Sequence, residues 1–174
     1  DRVIELEEEY LSLSFEEGTR NEDRREFYNE VRQSYWEDYE KWSKPYEAAT
    51  LYFLMKTGFN GIFQTNKGNG RYGTPCGLLN QKDKVFDRDI VKWWHDVLQD
   101  VKITCGDWKE NIPDIQDAFY FFDPPYRDSF ADYGNSFGDN QLIELIDFAD
   151  KKDKAFVCNR DSQDGWFEKH KKSM

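Results

Sequence analysis

Cysteine, histidine and proline are scarce in this chain: 174 residues carry three, two and five of them. Cys76, Cys105 and Cys158 are widely separated and form no Cys-x-x-Cys pair, and His95 and His170 are the only histidines. That spacing argues against a zinc site and against a disulfide framework. No run approaches the ~18 apolar residues of a membrane span, and the first residues are charged, unlike a secretory leader. A soluble, intracellular, cytoplasmic protein with no metal and no membrane partner is expected. Basic residues are outnumbered as well, giving a net charge of −11. Nonspecific polyanion binding by the molecule as a whole is therefore disfavoured.

Aromatic residues, in contrast, make up 17% of the chain, enough to fill the core of one domain of this length. The acidic excess gathers near the start, from Glu5 to Asp23. Between Lys56 and Lys92 the balance reverses, with Lys56, Lys67, Arg71, Lys82, Lys84, Arg88 and Lys92 outnumbering the acids. A modest basic face, or a solvated loop, fits that segment.

The most informative stretch is Asp123-Pro124-Pro125-Tyr126, directly after the apolar run Ala118–Phe122. It reads as a buried strand delivering an acid and an aromatic ring to the carboxyl edge of a sheet, where open α/β sheets place their chemistry. Two prolines fix two φ angles and remove two N–H donors, leaving the Asp123 carboxylate beside the Pro124 carbonyl as a rigid acceptor pair. Such a pair suits an exocyclic amino group with two hydrogens to donate, and Tyr126 would stack on the ring that carries it. A plain strand followed by a proline turn is the alternative.

Periodicity predicts helices over residues 2–13, through Val3, Leu6, Tyr10 and Leu13, and from Asp23 to about Ser43, through Phe27, Val31, Tyr35 and Tyr39. A third opens at Pro45 and ends at Gly58. No cap or strand precedes the first, so the chain is expected to start partway through a domain. Residues 58–77, with a glycine and asparagine centre at 66–70, read as a hairpin or extended loop. A helix at 87–99, a short strand at Val101–Cys105, a helix from Gly138-Asp139 and a strand at Lys154–Asn159 follow. That order fits an α/β sheet.

Taken together, Phe59-Asn60-Gly61, Asn66, Gly70-x-Tyr72-x-x-Pro75-x-Gly77 and Asp123-Pro124-Pro125-Tyr126 resemble the Dam-like (D12 class, α-ordered) DNA adenine N6-methyltransferases. The similarity spans nearly the whole chain. It implies a partial Rossmann-like class I methyltransferase sheet, residues 1–14 and 86–174, and a mainly helical target-recognition insert carrying a β-hairpin, residues 15–85. It also implies methyl transfer from S-adenosylmethionine to adenine N6 in double-stranded DNA, after the base has left the stack. Asp123, Pro124, Pro125 and Tyr126 would be catalytic, and Asp107, in Gly106-Asp107-Trp108, would meet the cofactor's adenine; a turn-forming aspartate is the alternative for Asp107. Gln64, Asn66, Lys67, Arg71, Pro75, Tyr133 and Phe137 would contact DNA, with Lys82 a further candidate.

Two departures stand out. Gln64 replaces the arginine the family usually places two residues before Asn66, and one extra residue lies between Asn66 and Gly70. Glutamine suits adenine where arginine reads guanine, so a recognition sequence other than the family's common GATC is expected. No Phe-x-Gly-x-Gly cofactor loop occurs; the resemblance places it upstream of residue 1, and the last strands beyond the carboxyl end. The chain is therefore expected to be a fragment, or the ordered part of a longer protein; a catalytically degenerate DNA- or protein-binding remnant is the non-enzymatic alternative, and methylation of an RNA or protein amino or amide group the enzymatic one.

Overall fold

A computed structural model describes residues 1–113, 115–127 and 137–170. Length alone suggested one domain; the chain instead forms two compact units, Asp1–Lys102 and Ile103–Met174.

Three helices build the first unit: α1 (Arg2–Ser12), α2 (Glu22–Asp38) and α3 (Lys44–Thr57). Their apolar stripes meet as the spacing predicts. Leu6, Tyr10, Tyr28, Phe53 and Leu54 are wholly buried, and Phe27 and Val31 nearly so. Full burial of each such side chain stabilises by roughly 1.5–3 kcal/mol. The Phe53 ring meets Tyr10 and Phe27 edge to face, both at 5.7 Å, the arrangement aromatic quadrupoles favour. Helix α2 stops earlier than the four-residue repeat suggested, passing into a 3-10 turn at Tyr39–Lys41. Pro45 sits in the first turn of α3, where its missing N–H costs nothing.

Two buried charges tie distant segments to these helices. Glu7 on α1 accepts the backbone N–H groups of Val85 (2.7 Å) and Phe86 (2.9 Å) and pairs with Arg88 (3.3 Å). Arg24 on α2 donates to the carbonyls of Gln81 (2.6 Å) and Leu79 (3.2 Å), its guanidinium lying over the Tyr10 and Phe15 rings. These bonds fix the irregular segment 79–88, which includes Leu79 at φ +55°. Helix α4 (Arg88–Val97) then starts on Asp87, whose carboxylate accepts the Ile90 N–H. Its apolar residues Ile90, Val91, Trp93 and Trp94 remain about half exposed.

Val101–Cys105, expected as a strand, is not one. These residues are exposed and join no ladder among the described residues, and apolar alternation without a partner strand cannot satisfy the backbone in extended pairing. In the second unit a short helix, α5 (Trp108–Asn111), precedes β1 (Tyr120–Phe122), α6 (Asp139–Ala149), β2 (Ala155–Val157) and α7 (Trp166–His170). Strands β1 and β2 are parallel, in register Tyr120↔Ala155, Phe121↔Phe156 and Phe122↔Val157. Sequence places α6 between them, so the second unit is mixed α/β. Phe122, Leu145 and Ala149 form its core with Trp108, Tyr120 and Phe148 packed around them. The strand expected to be buried is buried on one face only. Phe122 is buried, but Phe121 and Phe156, stacked at 5.7 Å on the other face, are more than half exposed.

No helix among the described residues is long and apolar enough to cross a membrane. Nor do the described residues hold a His, Cys, Asp and Glu cluster that could ligate a metal.

Candidate active site and nucleic-acid interface

The tetrapeptide begins at the carboxyl end of β1. Phe122 is the last paired residue, its carbonyl accepting the Cys158 N–H at 2.8 Å. Asp123 therefore leaves the sheet at its carboxyl edge and is exposed there. Pro124 and Pro125 are half-buried, and Tyr126 is 42% exposed, so the ring has a free face for stacking. Hydrogen bonding to the Asp123 carboxylate, and then that carboxylate's charge, holds the Tyr126 phenol above its ordinary pKa. Acid and phenol, three residues apart in sequence, thus lie within electrostatic reach of each other.

Sequence reasoning missed the groups that fix this turn. The Arg127 N–H donates to Asn159 Oδ1 at 3.0 Å, just past β2. The Arg127 guanidinium donates to Asp139 (Nε, 2.8 Å; Nη2, 3.3 Å) at the start of α6 and to Asp164 (Nη1, 3.3 Å; Nη2, 3.0 Å) just before α7. Its flat face lies 4.6 Å from the centre of the Trp166 ring. Hydrogen bonds from Arg127 hold both carboxylates below their ordinary range, against a smaller opposing effect of desolvation. An arginine immediately after the tetrapeptide was visible in the sequence, but its partners lie 12 to 37 residues away.

Asp107 caps α5: Oδ1 accepts the Lys109 N–H at 2.8 Å, and its backbone carbonyl accepts from the Asn111 side chain. The residue is exposed. Among the described residues its second carboxylate oxygen carries no hydrogen bond, which leaves an acceptor that fits an amino or hydroxyl donor of a nucleoside.

The expected hairpin lies in the other unit. Two isolated antiparallel bridges, Gly58↔Cys76 and Thr65↔Tyr72, define it in place of long strands. Asn66 N–H donates to the Arg71 carbonyl and Gly73 N–H to the Gln64 carbonyl, both at 2.7 Å. At the tip Asn66 Oδ1 accepts the Gly68 N–H, and Gly70 takes φ +68°, a left-handed angle that glycine adopts without strain. Residues 61–71 are exposed, placing Gln64, Asn66, Lys67 and Arg71 on the solvent side.

The base of the hairpin is anchored firmly. Tyr28 Oη and Arg32 Nη1 on α2 both donate to the Thr74 carbonyl, at 3.0 and 2.9 Å, and Thr74 Oγ1 donates to the Ile62 carbonyl. Trp36 Nε1 donates to the Tyr72 carbonyl, and Tyr72 Oη to Leu54 O on α3. Exposed Pro75 supplies a carbonyl to the Phe59 N–H at 2.9 Å. Backbones pass so closely here that a Cβ on Gly77 would sit 2.9 Å from the Gly58 carbonyl oxygen. Lys82 is joined to Glu17 in an exposed ion pair. Tyr133 lies outside the described residues, whereas Phe137 is half-buried and packs against the core of the second unit.

The chain belongs to the D12 class N6 adenine-specific DNA methyltransferase family, whose model matches residues 2–167. It is 36% identical over 166 residues to the type II methyltransferase M.MjaIII of Methanocaldococcus jannaschii, a match covering 88% of this chain and 54% of that protein. With the type II methyltransferase M.CviBI of Paramecium bursaria Chlorella virus NC1A it shares 34% identity over 124 residues, 70% of this chain and 45% of the relative. The type II methyltransferase M1.LlaDCHI of Lactococcus lactis is 28% identical over 111 residues, 62% of this chain and 38% of that protein. The chain thus spans about half the length, or less, of these relatives.

Proposed function

We propose that this chain is the target-recognition and methyl-acceptor part of a DNA methyltransferase that modifies adenine N6 in duplex DNA. The observation carrying the proposal is the exposed Asp123 carboxylate at the carboxyl end of β1, followed by two prolines and the part-exposed Tyr126 ring. The target base leaves the stack, because its amino group is otherwise paired. Asp123 and the Pro124 carbonyl accept the two amino hydrogens. The nitrogen then moves toward sp3 geometry, and its lone pair, no longer delocalised into the ring, becomes nucleophilic. Pro125 keeps the acceptors rigid, and Tyr126 stacks on the base.

S-adenosylmethionine would supply the electrophilic methyl when bound and leave as S-adenosylhomocysteine, the methylated nitrogen releasing one proton to Asp123 or solvent. Asp107 would hold its adenine through the acceptor oxygen not used in capping α5. Residues 1–14 and 86–174 would belong to a Rossmann-like catalytic core and 15–85 to the recognition insert. Within the insert, Gln64, Asn66, Lys67, Arg71 and Pro75 would meet DNA, Gln64 reading a base edge. Tyr133 and Phe137 would line the path of the flipped base. The relatives' type II names support pairing with a restriction activity.

Incubating the full-length protein with labelled S-adenosylmethionine and unmethylated duplex DNA, RNA or protein, then resolving the labelled product, tests the proposal. N6-methyladenine from DNA is expected. Label confined to RNA or protein, or no label, would overturn it.

A further inference from the structure

The prolines of the tetrapeptide fix φ at two residues but leave ψ at Pro125 and both angles at Tyr126 free to turn. They also remove two N–H donors, so Tyr126 and Arg127 carry the first backbone donors after Asp123. The Arg127 N–H is bonded to the neighbouring strand's extension. Consecutive residues thereby hold the two ends of the turn: Cys158 takes the upstream end through the Phe122 carbonyl at 2.8 Å, and Asn159 the downstream end through the Arg127 N–H at 3.0 Å.

The Arg127 side chain completes the fixation. It is only 11% exposed, forks between the carboxylates of Asp139 and Asp164, and sits over the Trp166 ring. Trp166 is itself buried, and its backbone N–H donates to Asp164 Oδ1 at 3.0 Å. A surface ion pair would be dispensable, but a planar guanidinium held by two carboxylates and a ring fixes a backbone position. We infer that Arg127 is a positioning residue for methyl transfer, setting where Asp123 and Tyr126 stand by locking the downstream end of their turn to Asn159, Asp139 and Asp164. The inference rests on the methyltransferase reading above. Arg127 acts through Asp123 and Tyr126, not on the base itself.

The test uses the full-length protein and its Arg127→Ala, Arg127→Lys, Asp164→Asn and Asp123→Ala variants. Three quantities are compared: the single-turnover methylation rate with DNA and S-adenosylmethionine saturating, the cofactor dissociation constant by calorimetry, and the melting temperature. A misplaced reacting group loses on the order of 10- to 100-fold in rate. Arg127→Ala is expected to lose that much with cofactor affinity unchanged. Arg127→Lys should lose less, because an ammonium keeps the charge but cannot fork between two carboxylates. Should Arg127→Ala fail to fold, Asp164→Asn, which keeps shape and weakens one arm, gives the same readout with a smaller rate loss. A wild-type rate in Arg127→Ala or Asp164→Asn, or a rate loss matched by an equal loss of cofactor affinity, overturns the inference while Asp123→Ala stays inactive. An inactive wild type, or an active Asp123→Ala, overturns the methyltransferase reading and the inference with it.

Discussion

The Asp123 carboxylate, two prolines upstream of Tyr126, raises the pKa of its phenol, through hydrogen bonding first and then through charge. Tyr126→Phe keeps the stacking ring, so near-normal DNA affinity is expected. Tyr126→Ala removes the stacking surface and should weaken handling of the flipped base by about 1–3 kcal/mol, the usual size of a base–aromatic contact. Steady-state kinetics of both variants on the same duplex check this.

Glu7 carries a pH dependence of stability. Burial pushes its carboxyl up, but hydrogen bonds from the Phe86 and Val85 N–H groups and from Arg88 outweigh that and leave the pKa below its ordinary value. A depressed folded-state pKa contributes stability that is present above the unfolded value and is lost as pH falls through the folded one. Denaturant unfolding at pH 7 and below pH 4.5 should show Glu7→Gln costing less at the lower pH. At neutral pH a loss of roughly 1–3 kcal/mol is expected from leaving buried N–H groups poorly paired.

Arg24→Met removes the guanidinium that bridges the Leu79 and Gln81 carbonyls to α2 while conserving much of the apolar stem. Both carbonyls lose a charged donor, so destabilisation of about 2–3 kcal/mol is expected, measured as a lower urea midpoint with an unchanged slope.

At the hairpin, Gly77→Ala drives a methyl group into the Gly58 backbone. Overpacking of this kind costs typically ~1–3 kcal/mol, and DNA affinity should fall with stability. Lys67→Ala and Arg71→Ala, at the exposed tip, should flatten the salt dependence of DNA binding. Removing one phosphate interaction lowers the slope by about one; an unchanged slope would make the residue a solvated loop side chain.

Much of this was legible in the sequence because the signals were local. The four-residue spacing of α2, Pro45 at the start of α3, Gly58 after its end and the glycine-asparagine tip of the hairpin all act through neighbouring backbone. The tetrapeptide announced its own position at the end of β1. Val101–Cys105 misled because β-propensity expresses packing against partners, and no partner strand lies beside it among the described residues. Helix α7 is five residues long and gave no periodic signal. Arg127, Asn159, Asp139 and Asp164 escaped because chain reversals bring them together, and no short window of sequence contains more than a pair of them. Nothing local marks Glu7 and Arg24 as buried, because their partners lie in segment 79–88, more than fifty residues away.

The central claim is that Asp123 performs the chemistry on adenine, and comparing wild type with Asp123→Ala in the full-length protein tests it most directly. Methyl incorporation into unmethylated duplex DNA and DNA binding would be measured on the same samples. Label at adenine N6 in the wild type, its loss in Asp123→Ala, and equal DNA binding by both are expected. Normal turnover by Asp123→Ala would contradict the claim.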